Sequence, residues 1–282
     1  MTTRELKKKK IDLHNDGRLS IVFLGCGAAF AKTLNQNNIL IIKGDDHVLV
    51  DCGTKTPRVL FDHGVPISAV ETFLITHSHA DHVGGLEEAM LTARYVARKK
   101  PRVVITPEYE QVLWTESLRG GAEHNERHNG KELRFRDFWN VVRPRKVRGL
   151  PRDTRTVSIG SIDLKIFRTR HYPQQATSWL DSQISYGLII DDRILFTGDT
   201  QFDADLVPAF GSKFDFETVF HDVQFFTGGI HASLDEVASL PAADRKRTYL
   251  MHYPDSYKDQ VSAVDDLGFR GFARELVYYD FA

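Results

Sequence analysis

Phe73-Leu74-Ile75-Thr76-His77-Ser78-His79-Ala80-Asp81-His82 is the stretch on which the reading of this chain turns. Its apolar start predicts a buried strand, and four side chains able to hold a transition metal follow where that strand must end. Neutral imidazole and carboxylate are ligands that divalent transition metals favour. Alternation in an extended turn sends His77 and His79 to one side, while Asp81 and His82 bend away to the other. Such a division suits two metals better than one.

Working outward, Ser20 to Gly25, Asn38 to Lys43 and His47 to Asp51 read as short strands separated by turn signals, a meander that predicts an antiparallel sheet. Helical periodicity follows in Thr56 to His63 and in Gly85 to Lys100. In the latter, Leu86, Ala89, Met90, Ala93, Val96 and Ala97 share a face, and Arg94, Arg98, Lys99 and Lys100 gather near the end, where cations suit the helix dipole. Pro101 to Thr106 reads as a strand and Glu108 to Leu118 as a helix. Gly120 to Lys131 is polar, opens on two glycines and predicts a mobile loop carrying His124 and His128. Beyond residue 155 come strands at Thr156 to Ile159, Ile162 to Arg168, Tyr186 to Ile190 and Ile194 to Thr197, then a helix at Leu234 to Leu240. A strand-rich half followed by helices thus occurs twice. Two sheets, each covered outside by helices, predict an α/β protein built as a four-layer αβ/βα sandwich.

The 282 residues, 41% of them hydrophobic, suffice for one large core, so residues 20–282 are expected to form a single domain behind a polar extension over 1–19. With 37 basic against 38 acidic residues, global charge predicts neither nucleic-acid nor membrane attraction. The longest apolar runs, Asn38 to Ile42 and Ile184 to Ile190, are strand-sized and far short of the ~20 residues that span a bilayer. Met1 to Lys10 is basic and polar with no apolar run after it, so a cytoplasmic location and no membrane partner are expected. Cys26 and Cys52 make a poor disulfide framework and are read as reduced, buried small residues.

Three more candidate ligands each end an apolar run: His171 after Ile166-Phe167-Arg168-Thr169-Arg170, Asp199 after Leu195-Phe196-Thr197-Gly198, and His252 after Thr248-Tyr249-Leu250-Met251. With these in view the chain resembles the metallo-β-lactamase superfamily, through His77-x-His79-x-Asp81-His82, His171, Gly198-Asp199-Thr200 and His252, over roughly residues 20 to 255. The resemblance implies that His77, His79 and His171 hold one metal, that Asp81, His82 and His252 hold the second, and that Asp199 bridges them. Two divalent ions are thus the expected cofactor, zinc first, with iron and manganese open. Water shared between such ions becomes hydroxide near neutral pH, the nucleophile of a hydrolase. Asp81 and Asp199 bring two negative charges against four positive, which favours an anionic substrate such as a phosphodiester.

A narrower resemblance is to the ribonuclease Z-like and cyclic-nucleotide phosphodiesterase branch, carried by Leu24-Gly25-Cys26-Gly27-Ala28-Ala29-Phe30, His221-Asp222-Val223-Gln224 and His231-Ala232-Ser233. It implies that Asp222 and His231 manage the leaving-group proton; a carboxylate on one imidazole nitrogen raises the histidine pKa and fixes its tautomer. With Asp81 they form the expected catalytic set. The plainer reading makes Asp222 a turn residue and His231 a cap for the helix at Leu234. The long Gly- and Pro-rich arm of transfer-RNA-maturing enzymes has no counterpart, so a small cyclic nucleotide is favoured over RNA 3′ processing. The nuclease reading stays open through Lys131 to Arg155, where nine basic residues against three acidic surround Phe135, Phe138 and Trp139. That segment reads first as a solvated face with an apolar underside, and second as a phosphate-contacting, base-stacking surface. Gly120 to His128 reads as a lid or as an arm reaching a second protomer, which would make the protein a homodimer. The same ligands also fit a non-hydrolytic diiron protein that binds or senses oxygen, and a thioesterase or lactonase.

Overall fold

The computed structural model describes residues 1–128 and 130–282; Asn129, within the loop expected over 120–131, lies outside the described residues. The chain divides into two compact units, each built on one eight-stranded mixed sheet. The α/β class with two large sheets is therefore as expected.

The first unit comprises Thr2–Gly25, Asn38–Pro144 and Leu276–Ala282. Its sheet runs from edge to edge as Thr2–Glu5, Val277–Phe281, Leu19–Gly25, Asn38–Lys43, Asp46–Val50, Thr72–Leu74, Arg102–Val104 and Asn140–Val142. The expected antiparallel meander holds up to Asp46–Val50, where Gly44, at φ 62°, lets the chain turn back within two residues. From there the pairing becomes parallel. Helical crossovers require that change, and the parallel strands read as unbroken apolar runs, Phe73-Leu74-Ile75 and Val103-Val104-Ile105, all buried. The polar extension is not loose: Thr2–Glu5 pairs in antiparallel register with the carboxy-terminal strand, and Arg4 Nε donates to Asp280 at 3.0 Å.

Two expectations change in this unit. The Gly85 to Lys100 helix is α-helical only over Leu86–Leu91, widens into a π-type turn over Thr92–Val96 and stops at Arg98, whose φ is 56°. The segment 120–131, expected as a loop, contains a helix end, Arg119–Ala122, and an antiparallel pairing of Arg127–His128 with Lys131–Glu132. Local ion pairs hold it, Arg119 with Glu123 at 2.8 Å and Arg94 with Glu126. In the basic segment, Phe135, Phe138 and Trp139 are buried, and Trp139 meets Phe73 edge to face with centroids 5.3 Å apart. These rings cannot stack a base. Their arginine neighbours Arg134 and Arg136 are exposed, as a solvated face over an apolar underside requires.

The second unit comprises Met1, Cys26–Asn37 and Arg145–Glu275. Its sheet order is Arg145–Val147, Thr154–Ile159, Ile162–Arg168, Tyr186–Ile190, Ile194–Phe196, Thr218–Asp222, Thr248–Met251 and Gly271–Phe272. Pairing is antiparallel as far as Ile194–Phe196 and parallel beyond it. Two antiparallel steps separate Ile162–Arg168 from Ile194–Phe196, so both point the same way. The carboxyl ends of these two strands, of Thr218–Asp222 and of Thr248–Met251 therefore leave the sheet at one edge. Open α/β sheets bind ligands beyond the carboxyl ends of their strands, and this edge carries His171, Asp199, Asp222 and His252. Among the described residues no helix is long and apolar enough to cross a membrane.

Candidate metal centre

In the first unit the carboxyl end of Thr72–Leu74 runs into the histidine motif, beside Asp51 at the end of the neighbouring parallel strand. His79 precedes a single helical turn, Ala80–Val83, which carries Asp81 and His82. Backbone pins hold this turn: Cys52 N donates to His82 O at 2.8 Å, and Asn38 Nδ2 donates to Asp81 O at 3.0 Å. His77 Nε2 and His79 Nδ1 lie 2.9 Å apart, and His82 Nε2 lies 3.2 Å from Asp81 Oδ2. The motif thus pairs His77 with His79 and Asp81 with His82.

Asp51, which the sequence reading passed over, orders this group. Its Oδ2 accepts from His82 Nδ1 at 2.7 Å and from Thr76 Oγ1 at 2.7 Å, and its Oδ1 accepts from Thr76 N at 2.7 Å. Because the Thr76 hydroxyl is spent on Asp51, it accepts from His77 Nδ1 at 3.0 Å. One carboxylate thereby sets both tautomers, leaving the Nε2 lone pairs of His77 and His82 directed toward the ligand side. Burial pushes the Asp51 carboxyl up, against the pull of His82 and Thr76. Asp51 holds φ 64°, a backbone that carboxylate and amide side chains tolerate better than most.

In the second unit Asp199 Oδ2 lies 3.2 Å from His252 Nε2 and 4.0 Å from His171 Nε2. His171 Nδ1 donates to Ile230 O at 2.8 Å, so its Nε2 is the lone-pair nitrogen. Gly198 makes this turn possible. It sits at φ 61°, and a Cβ there would stand 2.4 Å from Tyr186 O. His252 itself takes φ 58°, strain of the kind that clusters at functional sites.

His231 donates from Nδ1 to Asp222 Oδ2 at 2.8 Å, and its ring stacks on His252 with centroids 4.5 Å apart and planes 25° from parallel. Asp222 also accepts from Thr200 N at 3.2 Å, while its Oδ1 accepts no hydrogen bond. Burial pushes the Asp222 carboxyl up to about 8, with Asp199 adding to the rise and His221 and His252 opposing it. His221, also unassigned from sequence, is buried and donates from Nδ1 to the Asp222 carbonyl at 2.8 Å. The helix cap at Leu234 belongs to Ser233, through reciprocal bonds with Glu236, and not to His231. Cys26 and Cys52 are buried free thiols, and burial raises both pKa values.

Both groups fit divalent ions. Each turns imidazole nitrogens and a carboxylate oxygen onto one another in largely buried surroundings, the donor set that divalent transition metals favour. His124 and His128 are exposed, and neither joins a cluster of possible ligands among the described residues.

Comparison with known proteins gives the family and the fold. The family model described as anti-Pycsar protein Apyc1 matches residues 19–279. An anti-Pycsar protein Apyc1 of Bacillus phage BSP38 is 34% identical over 250 residues, covering 85% of this chain and 90% of that relative. Among solved structures, the metallo-β-lactamase fold protein YhfI of Bacillus subtilis aligns with TM-score 0.66 and 14% identity, covering 94% of this chain and 100% of its own. A diphosphatase of the PhnP family aligns with TM-score 0.67 and 14% identity, covering 94% and 98%. The chain has the metallo-β-lactamase fold, and it belongs to the anti-Pycsar Apyc1 family.

Proposed function

We propose that this protein is a metal-dependent phosphodiesterase that opens a cyclic nucleotide. The observation that carries the reading is the pairing of buried Asp222 with half-buried His231, bonded at 2.8 Å, the His231 ring stacking on a candidate ligand, His252. The thiolate of a thioester leaves without needing such a proton donor, whereas a departing ribose alkoxide needs one. Membership of the anti-Pycsar family supports the same choice. It agrees with the resemblance to phosphodiesterases that bacteria and phages turn against nucleotide-based immune signals.

In this reading His77, His79 and His171 hold one divalent ion, Asp81, His82 and His252 hold the second, and Asp199 belongs to both, with zinc the first expectation. When bound, the two ions polarise the phosphoryl oxygens and supply an activated water. The chain does the rest. Asp51, through His82 and Thr76, keeps the imidazoles in the tautomer that presents Nε2. Asp222 holds His231 at Nδ1 and fixes its ring, so that a proton on Nε2 is presented to the leaving oxygen.

A turnover screen tests this with cyclic mononucleotides, cyclic dinucleotides, short RNA and thioesters, each with and without chelator. Chelator-sensitive opening of a cyclic nucleotide is expected. His231→Ala should lower that turnover about 100-fold or more while metal content stays near wild type. Turnover unchanged in His231→Ala removes the proton-donor role, and thioester cleavage as the leading activity overturns the substrate class.

A further inference from the structure

Within the second unit, a cavity of about 820 Å³ opens between the loop that follows His171 and the helix Leu206–Gly211. Its walls include Arg152, Arg170, Thr177, Trp179, Phe202 and Asp203. Nothing in the metal chemistry above uses these side chains.

Two arginines and two aspartates line it, but they are not all paired. Arg152 is 8% exposed; it donates to Asp203 Oδ2 at 2.5 Å and to Arg168 O at 3.2 Å, and its charge is thereby answered. Arg170 is close enough to push the Arg152 guanidinium pKa down, adding to the larger effect of burial. Yet Arg170 meets only carbonyls, Phe202 O and, at a long 3.4 Å, Thr177 O. Its Nε–H is buried and has no acceptor, and among the described residues no carboxylate stands within ion-pair distance of it. The other acid of the wall, Asp205, is exposed at the rim. A half-buried guanidinium that meets no carboxylate is a site for one oxyanion.

The remaining wall is aromatic. Trp179 and Phe202 both face the cavity and are only half-buried, which leaves ring surface for a planar partner. The Trp179 loop is held in place: Arg168 donates to Ser182 O at 2.8 Å, and the Asp181 carboxylate accepts from Thr177 N and Ser178 N at 2.9 and 2.7 Å. Rings offered on a fixed loop beside a single unpaired guanidinium match a flat heterocycle joined to one phosphate. We propose that this cavity is a second, non-catalytic binding site for a linear nucleoside monophosphate, with the phosphate on Arg170 and the base against Trp179 and Phe202. The proposal is independent of the reaction assigned above.

The test uses the metal-loaded full chain, titrated with AMP, adenosine and inorganic phosphate and followed by tryptophan fluorescence and equilibrium dialysis. AMP should quench fluorescence saturably, and adenosine and phosphate should each bind at least about tenfold more weakly. Trp179→Leu should abolish the quenching and lower the number of AMP molecules bound per chain by one. Arg170→Gln should weaken this site about 10- to 100-fold. The dialysis count separates this site from AMP bound elsewhere, and Trp179→Leu, at a half-buried wall, keeps the test alive if Arg170→Gln does not fold. The proposal is overturned if AMP does not bind, if the count is unchanged in Trp179→Leu, or if phosphate alone binds as tightly as AMP.

Discussion

Replacing Asp51 by Asn isolates what one buried carboxylate contributes to a candidate metal centre it does not itself ligate. The wild-type side chain accepts three hydrogen bonds of 2.7 Å, from His82 Nδ1, Thr76 Oγ1 and Thr76 N. Asparagine has nearly the same shape and tolerates φ 64°, so the backbone need not move. Its amide offers one acceptor oxygen. Placed at the Oδ1 position, that oxygen keeps Thr76 N but sets an NH2 group against the His82 and Thr76 donors; flipped, it keeps those two and opposes Thr76 N. The loss of a charge-assisted bond is about 1.5–3 kcal/mol. His82 can escape by moving its proton to Nε2, the nitrogen needed for a metal. Metal affinity should therefore fall about 10- to 100-fold, the usual cost of losing a group that orients a ligand. Competition against a chromophoric chelator measures it, with circular dichroism reporting the fold. A folded Asp51→Asn protein whose metal affinity stays within about threefold of wild type would refute this account of the tautomers.

Three further outcomes are expected. Asp199→Ala should lose bound metal by elemental analysis, because the carboxylate proposed to serve both ions is gone; retention of two ions per chain would sink the dinuclear proposal. Gly198→Ala should lower the melting temperature strongly, since its new Cβ would stand 2.4 Å from Tyr186 O on a backbone at φ 61°; unchanged melting would mean that this turn can relax. His47 accepts from Glu71 N at 3.0 Å, and burial holds its pKa at about 4, against 6.5 unperturbed. Below pH 6.5 the unfolded chain therefore binds a proton that the folded chain refuses, and stability falls with pH until about pH 4. The loss between pH 7 and pH 5 from this group is about 2 kcal/mol. Urea unfolding at both pH values should give His47→Gln a correspondingly shallower dependence, and equal slopes would exclude His47 as the cause.

The legible parts of the fold were those in which periodicity and burial agree. Asn38–Lys43, Ile162–Arg168 and Tyr186–Ile190 lie where their apolar alternation or runs placed them. The switch to parallel pairing at Thr72–Leu74 was not legible, because a three-residue buried strand carries no directional signal. The pairing of Arg127–His128 with Lys131–Glu132 was not legible for a related reason: it rests on exposed side chains and nearby ion pairs, which look polar and formless in sequence. In the candidate site, histidines at strand ends stood out because imidazole is uncommon there. Asp51 and His221 did not, although Asp51 ends the apolar run His47 to Val50 much as Asp199 ends its own. A carboxylate acting through other ligands has no spacing of its own; only its three short hydrogen bonds distinguish it from a turn residue.

The candidate ligands sit from one to eight residues beyond the ends of short strands, while the long connections 107–144, 172–185 and 223–230 contain none of them. The candidate ligands and the long connections thus occupy different parts of the chain. Insertions, deletions or drift in those connections can reshape what the protein accepts without disturbing the donors that would hold the ions. A lineage under pressure to follow a changing substrate could do so by exchanging loops, at little risk to its reactive centre.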